Sequence, residues 1–398
     1  MKFKTNINLI FIYILTFSIF LQIGYFFDGA HRYIPLRVVI LACFIYLFVV
    51  ISHKKINTNR LCFFIIALSM QLFYLIFRFN HYTEDLLSRS IGNFLYIICF
   101  GFIFNSMCEK LSKKQILTLL YFGCLFFLII LSIETILRFM YPSLNSSQLT
   151  SEAAQKIERD ASLIYSGDLP LTEYFYTFKY SSILFFDSNY VGLIALMIVF
   201  ILKYIHFSSA IIKTSLLEFI AVSLLVLSFS RSAILVVIIF YFYYYFVLSS
   251  HRNVRFISIV LLGILITISP LFIMDSNIQD GSFDTKVQIM LSLYNKFDEI
   301  PAVQLLFGAG PVVGGYIFSY KDGEYAHALL PLIMGELGIL GILIILFFYT
   351  YIILKLKKWG VMFLIVTFIP GLSLIDPYQI FYYWSIIAIF RAEYNKQE

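Results

Sequence analysis

Long apolar runs recur along almost the whole chain, and they constrain the fold more than any other feature. A helix needs about 20 mostly apolar residues to cross the hydrocarbon core of a bilayer. Many of the runs approach that length, and only 13% of the residues are charged, about half the share found in soluble domains. The sequence therefore predicts an all-α, polytopic integral membrane protein, organised as a single membrane domain over residues 1–398.

The apolar runs predict about twelve transmembrane helices. Their approximate ranges are 7–27, 34–51, 61–77, 91–107, 116–137, 181–202, 211–229, 232–248, 256–274, 326–350, 359–375 and 378–391. Two connections are much longer than the others, at about 138–180 and 275–325. Each contains a segment with apolar residues at helical spacing, at 149–165 and 283–297, which predicts a short amphipathic helix.

Basic residues concentrate in alternate short connections, and this pattern predicts the orientation. These connections are HKKINTNR (53–60), EKLSKK (109–114), Lys203–Lys213, HRNVR (251–255) and KLKK (355–358). Basic residues mark the cytoplasmic side of a membrane protein, so both termini are predicted to be cytoplasmic. The two long loops then face outward, away from the cytoplasm.

Arg231 interrupts two very apolar runs in VLSFSRSAILVV (226–237). Lys213 and Arg252 both belong to the cytoplasmic side, and the residues between them are enough for two crossings but not for four. The chain must therefore turn near Ser228–Ser232, where serines are good helix caps. This turn would place Arg231 at the outer interface.

Several further polar residues fall on the predicted outer side and form a candidate site. They are Arg138, Asp187, Asn189, Lys286, His327 and Glu336. A single arginine there can be an interfacial anchor, but several ionisable groups on one side favour a site because they are costly to keep in a membrane. His327 is either a helix-entrance cap or a general base. Glu336 is either a site residue or a structural partner of another helix, and Pro331 is a candidate kink between the two.

Other chemistries lack support in the sequence. The segment FGAGPVVGG (307–315) has neither the spacing nor the flanking residues of a nucleotide-binding loop, and it fits a flexible backbone near a ligand or a helix entry. The predicted outer loops contain no Asp-x-Asp pair, so no metal site is predicted. No cofactor or nucleic-acid partner is indicated. The five cysteines lie in or beside apolar runs, where packing explains them.

The order FFDSNYVG, SFSRSA, a long outer loop and FGAG…HALLPLIMGELGILG resembles the O-antigen polymerase and O-antigen ligase superfamily, over about residues 180–345. The resemblance implies a metal-independent glycosyltransferase that works at the periplasmic face on undecaprenyl-diphosphate-linked glycans. It implies catalytic roles for Arg231 and His327, and a substrate-binding role for Asn189. Where the family often has an arginine in the second long loop, this chain has Lys286, which lacks the bidentate fork of arginine.

Together these observations predict a polymerase that transfers a lipid-linked glycan chain onto a new lipid-linked repeat unit. Arg231, His327 and Glu336 are the candidate catalytic residues, and Arg138, Asp187, Asn189 and Lys286 are the candidate substrate-binding residues. The expected partners are the undecaprenyl-diphosphate-linked oligosaccharide and membrane lipid, with a chain-length regulator protein as a further candidate. Two alternatives stay open, namely a ligase that transfers glycan to lipid A-core and a flippase or transporter.

Overall fold

The computed structural model describes residues 7–23, 45, 101, 103–140, 188–209, 212–248, 253, 256–257, 260, 288–289, 291–310, 313–319, 326, 328–372 and 380–395. Helix accounts for 88% of the structure, and no strand occurs within these ranges. The predicted all-α class is therefore confirmed for the described residues. The predicted spans at 34–51 and 61–77, most of those at 91–107 and 256–274, and the amphipathic segment at 149–165 lie outside them.

Most of the α-helices of the described residues fall within predicted apolar runs, whereas Ala302–Phe307 lies in the predicted loop at 275–325. The α-helices are α1 (Ile7–Ile23), α2 (Lys113–Met140), α3 (Ser188–Ser208), α4 (Ser215–Leu227), α5 (Arg231–Phe242), α6 (Ala302–Phe307), α7 (Leu329–Leu356), α8 (Lys358–Gly371) and α9 (Ile380–Tyr394). Three of these, α2, α3 and α7, are long and apolar enough to cross a membrane. The chain is thus a helical protein with membrane-spanning features.

The helices form two compact units, and the boundary falls inside α5, after Ile234. In the first unit, α3 contacts α2, α4 and α9, while α1 contacts α2 and α9. Nearly every side chain of α3 is buried. A helix that is apolar on all faces belongs in the interior of a bundle, so the sequence of α3 explains its central position.

A buried ion pair joins α3 to α4 near the end of the bundle where the two helices are connected. Lys203 Nζ lies 2.8 Å from Glu218 Oε1, and both side chains are almost completely enclosed. Burying either charge alone would be costly, and each neutralises the other. Glu218 is the only acidic residue in the apolar run before the predicted turn, and Lys203 is its structural partner.

The second unit contains a tight helical hairpin formed by α7 and α8. Lys357 connects the two helices in a left-handed conformation with φ 51°. Gly360 allows close approach, because a Cβ there would lie 2.6 Å from the carbonyl oxygen of Ile352. Tyr349 Oη donates to Thr367 Oγ1 at 3.0 Å further along the pair. The connection predicted at KLKK (355–358) is confirmed.

The amphipathic helix predicted at 283–297 is confirmed over its described part. Residues 288–289 and 291–295 are helical, followed by a 3₁₀ turn at Phe297–Glu299. Ile289 is buried with Ala326 and Ala328, whereas Tyr294 is 82% exposed. Ser292 Oγ, on the buried face, donates to the carbonyl oxygen of Phe318 at 2.6 Å. One face of this helix is therefore anchored on the second unit.

Candidate functional site

Three residues, Ser228–Ser230, separate the end of α4 from the start of α5. The N–H of Ser228 still bonds to the carbonyl of Leu224, which ends α4, and the carbonyl of Ser230 accepts from the N–H of Ile234, which starts α5. Between them, Phe229 has φ 54°, a left-handed conformation that costs about 1–2 kcal/mol for a residue with a side chain. Ser228 Oγ accepts from the N–H of Ser230 at 3.2 Å. The break between the two helices falls within the predicted range Ser228–Ser232.

Arg231 is the first residue of α5, and its side chain is exposed. The amino end of a helix carries a partial positive charge, so a cation there gains nothing from the helix dipole. The same exposed N–H groups and the guanidinium both favour an anion. The position of Arg231 is thus unfavourable for the helix alone and well suited to a negatively charged ligand.

Arg138 lies near the end of α2 and is fully buried. Its Nη2 donates to the carbonyl oxygen of Leu227 at 2.6 Å, and its Nη1 donates to that of Ser228 at 3.5 Å. Its guanidinium also lies 5.6 Å from the ring centre of Phe139. The structure therefore gives this candidate substrate-binding residue contacts with the turn that precedes Arg231, and it encloses the guanidinium completely.

The first turns of α3 pack directly against the same turn. A Cβ on Gly192 would lie 2.6 Å from Ser228 Oγ and 2.7 Å from Ser230 Cβ, so only glycine allows this approach. Asn189 precedes Gly192 by three residues, which places both on one face of α3, and its side chain is buried. The segments FFDSNYVG and SFSRSA, distant in sequence, therefore meet in the first unit.

The opposite end of this bundle gathers segments that the charge pattern predicts to share one side. Tyr204 Oη donates to Glu393 Oε1 at 2.9 Å, which joins α3 to α9. Arg391 Nε donates to Asn105 Oδ1 at 2.6 Å, which joins α9 to the segment before α2. Asn105, Tyr204 and the described C-terminal residues thus lie together, at the end opposite Arg138 and Arg231.

Glu336 belongs to the second unit and lies next to a break in α7. Gly338 has φ 66° and ψ −161°, which interrupts the helix and frees carbonyl groups. The N–H of Ala309 donates to the carbonyl oxygen of Gly335 at 2.7 Å, and the N–H of Gly310 donates to that of Glu336 at 3.0 Å. The Glu336 side chain is fully buried. The kink was predicted at Pro331, and this prediction was wrong.

Pro331 does not interrupt α7, because it lies in the first turn of the helix. Its missing N–H would have no intrahelical partner at that position, so proline is tolerated there. The break occurs seven residues later, at Gly338, where glycine adopts the positive φ without a steric penalty.

The glycines of FGAGPVVGG allow that segment to lie against the broken helix. A Cβ on Gly308 would collide with the backbone carbonyl of Glu336, and one on Gly314 with that of Gly335. Gly308 also has φ 76°, which favours glycine. Backbone therefore meets backbone here, and the glycines serve close packing against α7 rather than the flexibility that was predicted for this segment.

The predicted site residues divide into three groups. In the first unit, Arg138 bonds to the turn that precedes Arg231, and Asn189 lies one helical turn before Gly192, which packs against the same turn. Glu336 is buried in the second unit. Asp187, Lys286 and His327 lie outside the described residues. Sequence reasoning missed Phe229, because no sequence signal marks a left-handed phenylalanine, and it missed Gly192, which the motif SNYVG contains. Within the described ranges, no group of three or more His, Cys, Asp or Glu could hold a metal ion.

The geometry defines the class of this molecule as a helical protein with membrane-spanning helices and a polar turn held at one end of a bundle. No protein-family model, curated protein or solved structure matches the chain.

Proposed function

We propose that this protein is a polysaccharide repeat-unit polymerase of the O-antigen type. It transfers an undecaprenyl-diphosphate-linked glycan chain onto a new lipid-linked repeat unit, at the periplasmic face of a bacterial inner membrane. The observation that carries the proposal is the contact between the segment that holds Asn189 and Gly192, through Gly192, and the turn before Arg231 at one end of an apolar helical bundle. These are two of the segments on which the resemblance to O-antigen polymerases rests.

The proposed chemistry gives Arg231 the central role. Negative charge develops on the diphosphate leaving group as the glycosidic bond breaks, and a guanidinium can stabilise it through two parallel hydrogen bonds. Asn189 orients the donor, and His327 accepts the proton of the attacking hydroxyl. Asp187 and Lys286 are proposed to bind the glycan, and Glu336 to act as a second site carboxylate. The reaction needs no metal in this scheme.

A flippase or transporter is the second candidate, and the break in α7 favours it. Transporters often bind their cargo at discontinuous helices, where unwound carbonyl groups coordinate ions. In this chain, Ala309 and Gly310 donate to the carbonyls of Gly335 and Glu336 beside the break. Because the neighbouring loop uses these acceptors, we prefer the polymerase.

The test uses purified protein in liposomes that contain a radiolabelled, chemically defined lipid-linked repeat unit. A polymerase produces longer lipid-linked chains, a transporter only moves the unit between leaflets, and a ligase needs added lipid A-core as acceptor. Arg231→Ala is expected to slow elongation by about 100-fold or more, the usual effect of removing a donor that stabilises developing charge.

Arg391→Ala is the matched control, since it removes an arginine at the opposite end of the same bundle. It is expected to keep at least half of the elongation activity at equal protein level. Unchanged elongation by Arg231→Ala would refute the assignment of this residue.

A further inference from the structure

We propose that Arg138 is a positioning residue, which holds the Ser228–Ser230 turn in the conformation that presents Arg231 and does not itself contact the glycan donor. The effect on glycan transfer rests on the proposed function, whereas the effect on the turn does not. Arg138 and Arg231 thus have separate tasks. One is enclosed and bonded to the backbone, and the other is exposed at the start of α5.

The contacts of Arg138 are those of a helix cap supplied by another helix. The last carbonyl groups of a helix have no intrahelical partner, and they carry its partial negative charge. Arg138 donates to two consecutive carbonyls at the end of α4, those of Leu227 and Ser228. The planar fork of arginine suits two such acceptors, because its donors are held side by side in a fixed geometry. Because no part of the side chain is exposed, it has no free face for a soluble ligand.

The turn needs such support because Phe229 is left-handed. A phenylalanine relaxes from that conformation unless its surroundings hold it there. The ring of Phe229 meets the ring of Phe139 edge-on at 6.1 Å between centroids, and the Arg138 guanidinium lies over that same Phe139 ring. The two residues at the end of α2 therefore hold both the backbone and the side chain of the turn.

The position of Arg231 depends directly on this conformation. Phe229 is two residues before it, and a change of φ at that point redirects the start of α5. On the other side, Gly192 leaves no space for the turn to shift toward α3. Loss of Arg138 is therefore expected to release the turn away from α3 and to move the guanidinium of Arg231 from its place.

The positive φ of Phe229 suggests a second substitution that should restore the turn when Arg138 is lost. Glycine adopts positive φ without cost, so Phe229→Gly lets the turn keep its shape without the cap. The double variant Arg138→Met/Phe229→Gly should therefore recover what Arg138→Met loses. A purely structural role for Arg138 in the bundle would show no such recovery, because removing the Phe229 side chain as well would only destabilise the protein further.

The first measurement is independent of any enzymatic activity. Ser232→Cys is placed in a version of the full chain without its native cysteines, in liposomes, and its rate of labelling by a membrane-impermeant maleimide is recorded. Hydrogen bonds from a charged donor are strong enough to shift a local equilibrium by about tenfold or more. We therefore expect the cysteine introduced at position 232 to be labelled about tenfold faster when Arg138→Met is also present. In the double variant, its labelling rate should lie within about twofold of the parent rate.

Two controls keep the result interpretable. Arg391→Met removes an arginine at the other end of the bundle and should leave labelling unchanged. Arg138→Lys keeps a positive charge near Glu134, which lies one helical turn earlier and is fully buried, but it lacks the fork. It should give an intermediate rate, and it serves as the working variant where Arg138→Met fails to fold. Parent-like labelling of the Arg138 variants, or no recovery with Phe229→Gly, overturns the proposal.

Elongation assays on the same variants separate this proposal from the proposed function. Arg138→Met should lose elongation and regain it with Phe229→Gly, whereas Arg231→Ala should stay inactive with or without Phe229→Gly. If labelling follows the expected pattern while Arg231→Ala elongates normally, the positioning role stands and the proposed function fails. If Arg231→Ala is inactive but the Arg138 variants are labelled at the parent rate, only the positioning role of Arg138 is refuted.

Discussion

Gly308→Ala should strongly destabilise the protein by displacing the glycine segment from α7. The new Cβ would collide with the backbone carbonyl of Glu336, and φ 76° is unfavourable for alanine. The left-handed conformation costs about 1–2 kcal/mol. Displacement also breaks the bonds from the N–H groups of Ala309 and Gly310, at 2.7 and 3.0 Å, each worth about 1 kcal/mol. The expected loss is about 3–4 kcal/mol in the free energy of unfolding.

The assay is equilibrium unfolding of the purified protein in mixed detergent micelles, with increasing mole fraction of sodium dodecyl sulfate. A loss of this size is a large part of the 5–15 kcal/mol that is typical of folded proteins, so the unfolding midpoint should fall clearly. Gly101→Ala is the matched control, because Gly101 is helical and the described structure has no atom within 4 Å of its added Cβ. It should be neutral or slightly stabilising.

Comparing Gly308→Ala with Gly101→Ala shows whether stability depends on the contact between the glycine segment and α7, or only on the flexibility of glycine in general. Gly338→Ala, at the break itself, should lose stability to a similar degree, since its Cβ would lie 2.5 Å from the Leu306 carbonyl. If Gly308→Ala and Gly101→Ala unfold at the same point, backbone contact between the segment and α7 is not a source of stability and the reasoning fails.

Three further predictions use the same unfolding titration. Gly192→Ala should lose about 1–3 kcal/mol because its Cβ would overpack the α4–α5 turn, and an unchanged midpoint would contradict the close packing of α3. Lys203→Met should lose about 3–5 kcal/mol by leaving Glu218 buried and unpaired, whereas the variant with both residues changed to Met should lose less than either single change. Thr16→Val should lose about 1–3 kcal/mol because the buried Trp384 Nε1 loses its acceptor at 3.2 Å, and wild-type stability would show that another group replaces it.

Much of the local structure could be predicted from the sequence. The turn at Ser228–Ser232 follows from charge position and helix length, and α4 and α5 end and begin there. The helix at 288–295 follows from the spacing of its apolar residues. Both are local properties, since hydrophobic length and periodicity decide where helices form and where they stop.

Other features could not be predicted, because they depend on what each residue meets in space. From the sequence, Pro331 was the candidate kink. The break lies instead at Gly338, where N–H groups of the glycine segment bond to the carbonyl groups that the break frees. The predicted span at 211–229 is likewise shorter in the structure, where α4 has 13 residues. Thr214 precedes this helix and Ser228 ends it, and apolar composition alone does not reveal either limit.

By itself, the sequence determined that this protein is helical and suited to a membrane, because a scarcity of charge over long apolar runs leaves few other folds. It also singled out Arg138 and Arg231 as arginines near the ends of apolar runs. Only the tertiary structure decided that one is enclosed and the other exposed. Arg138 meets Leu227 from 89 positions away in the chain, and burial of a side chain depends on such distant neighbours rather than on the residues beside it.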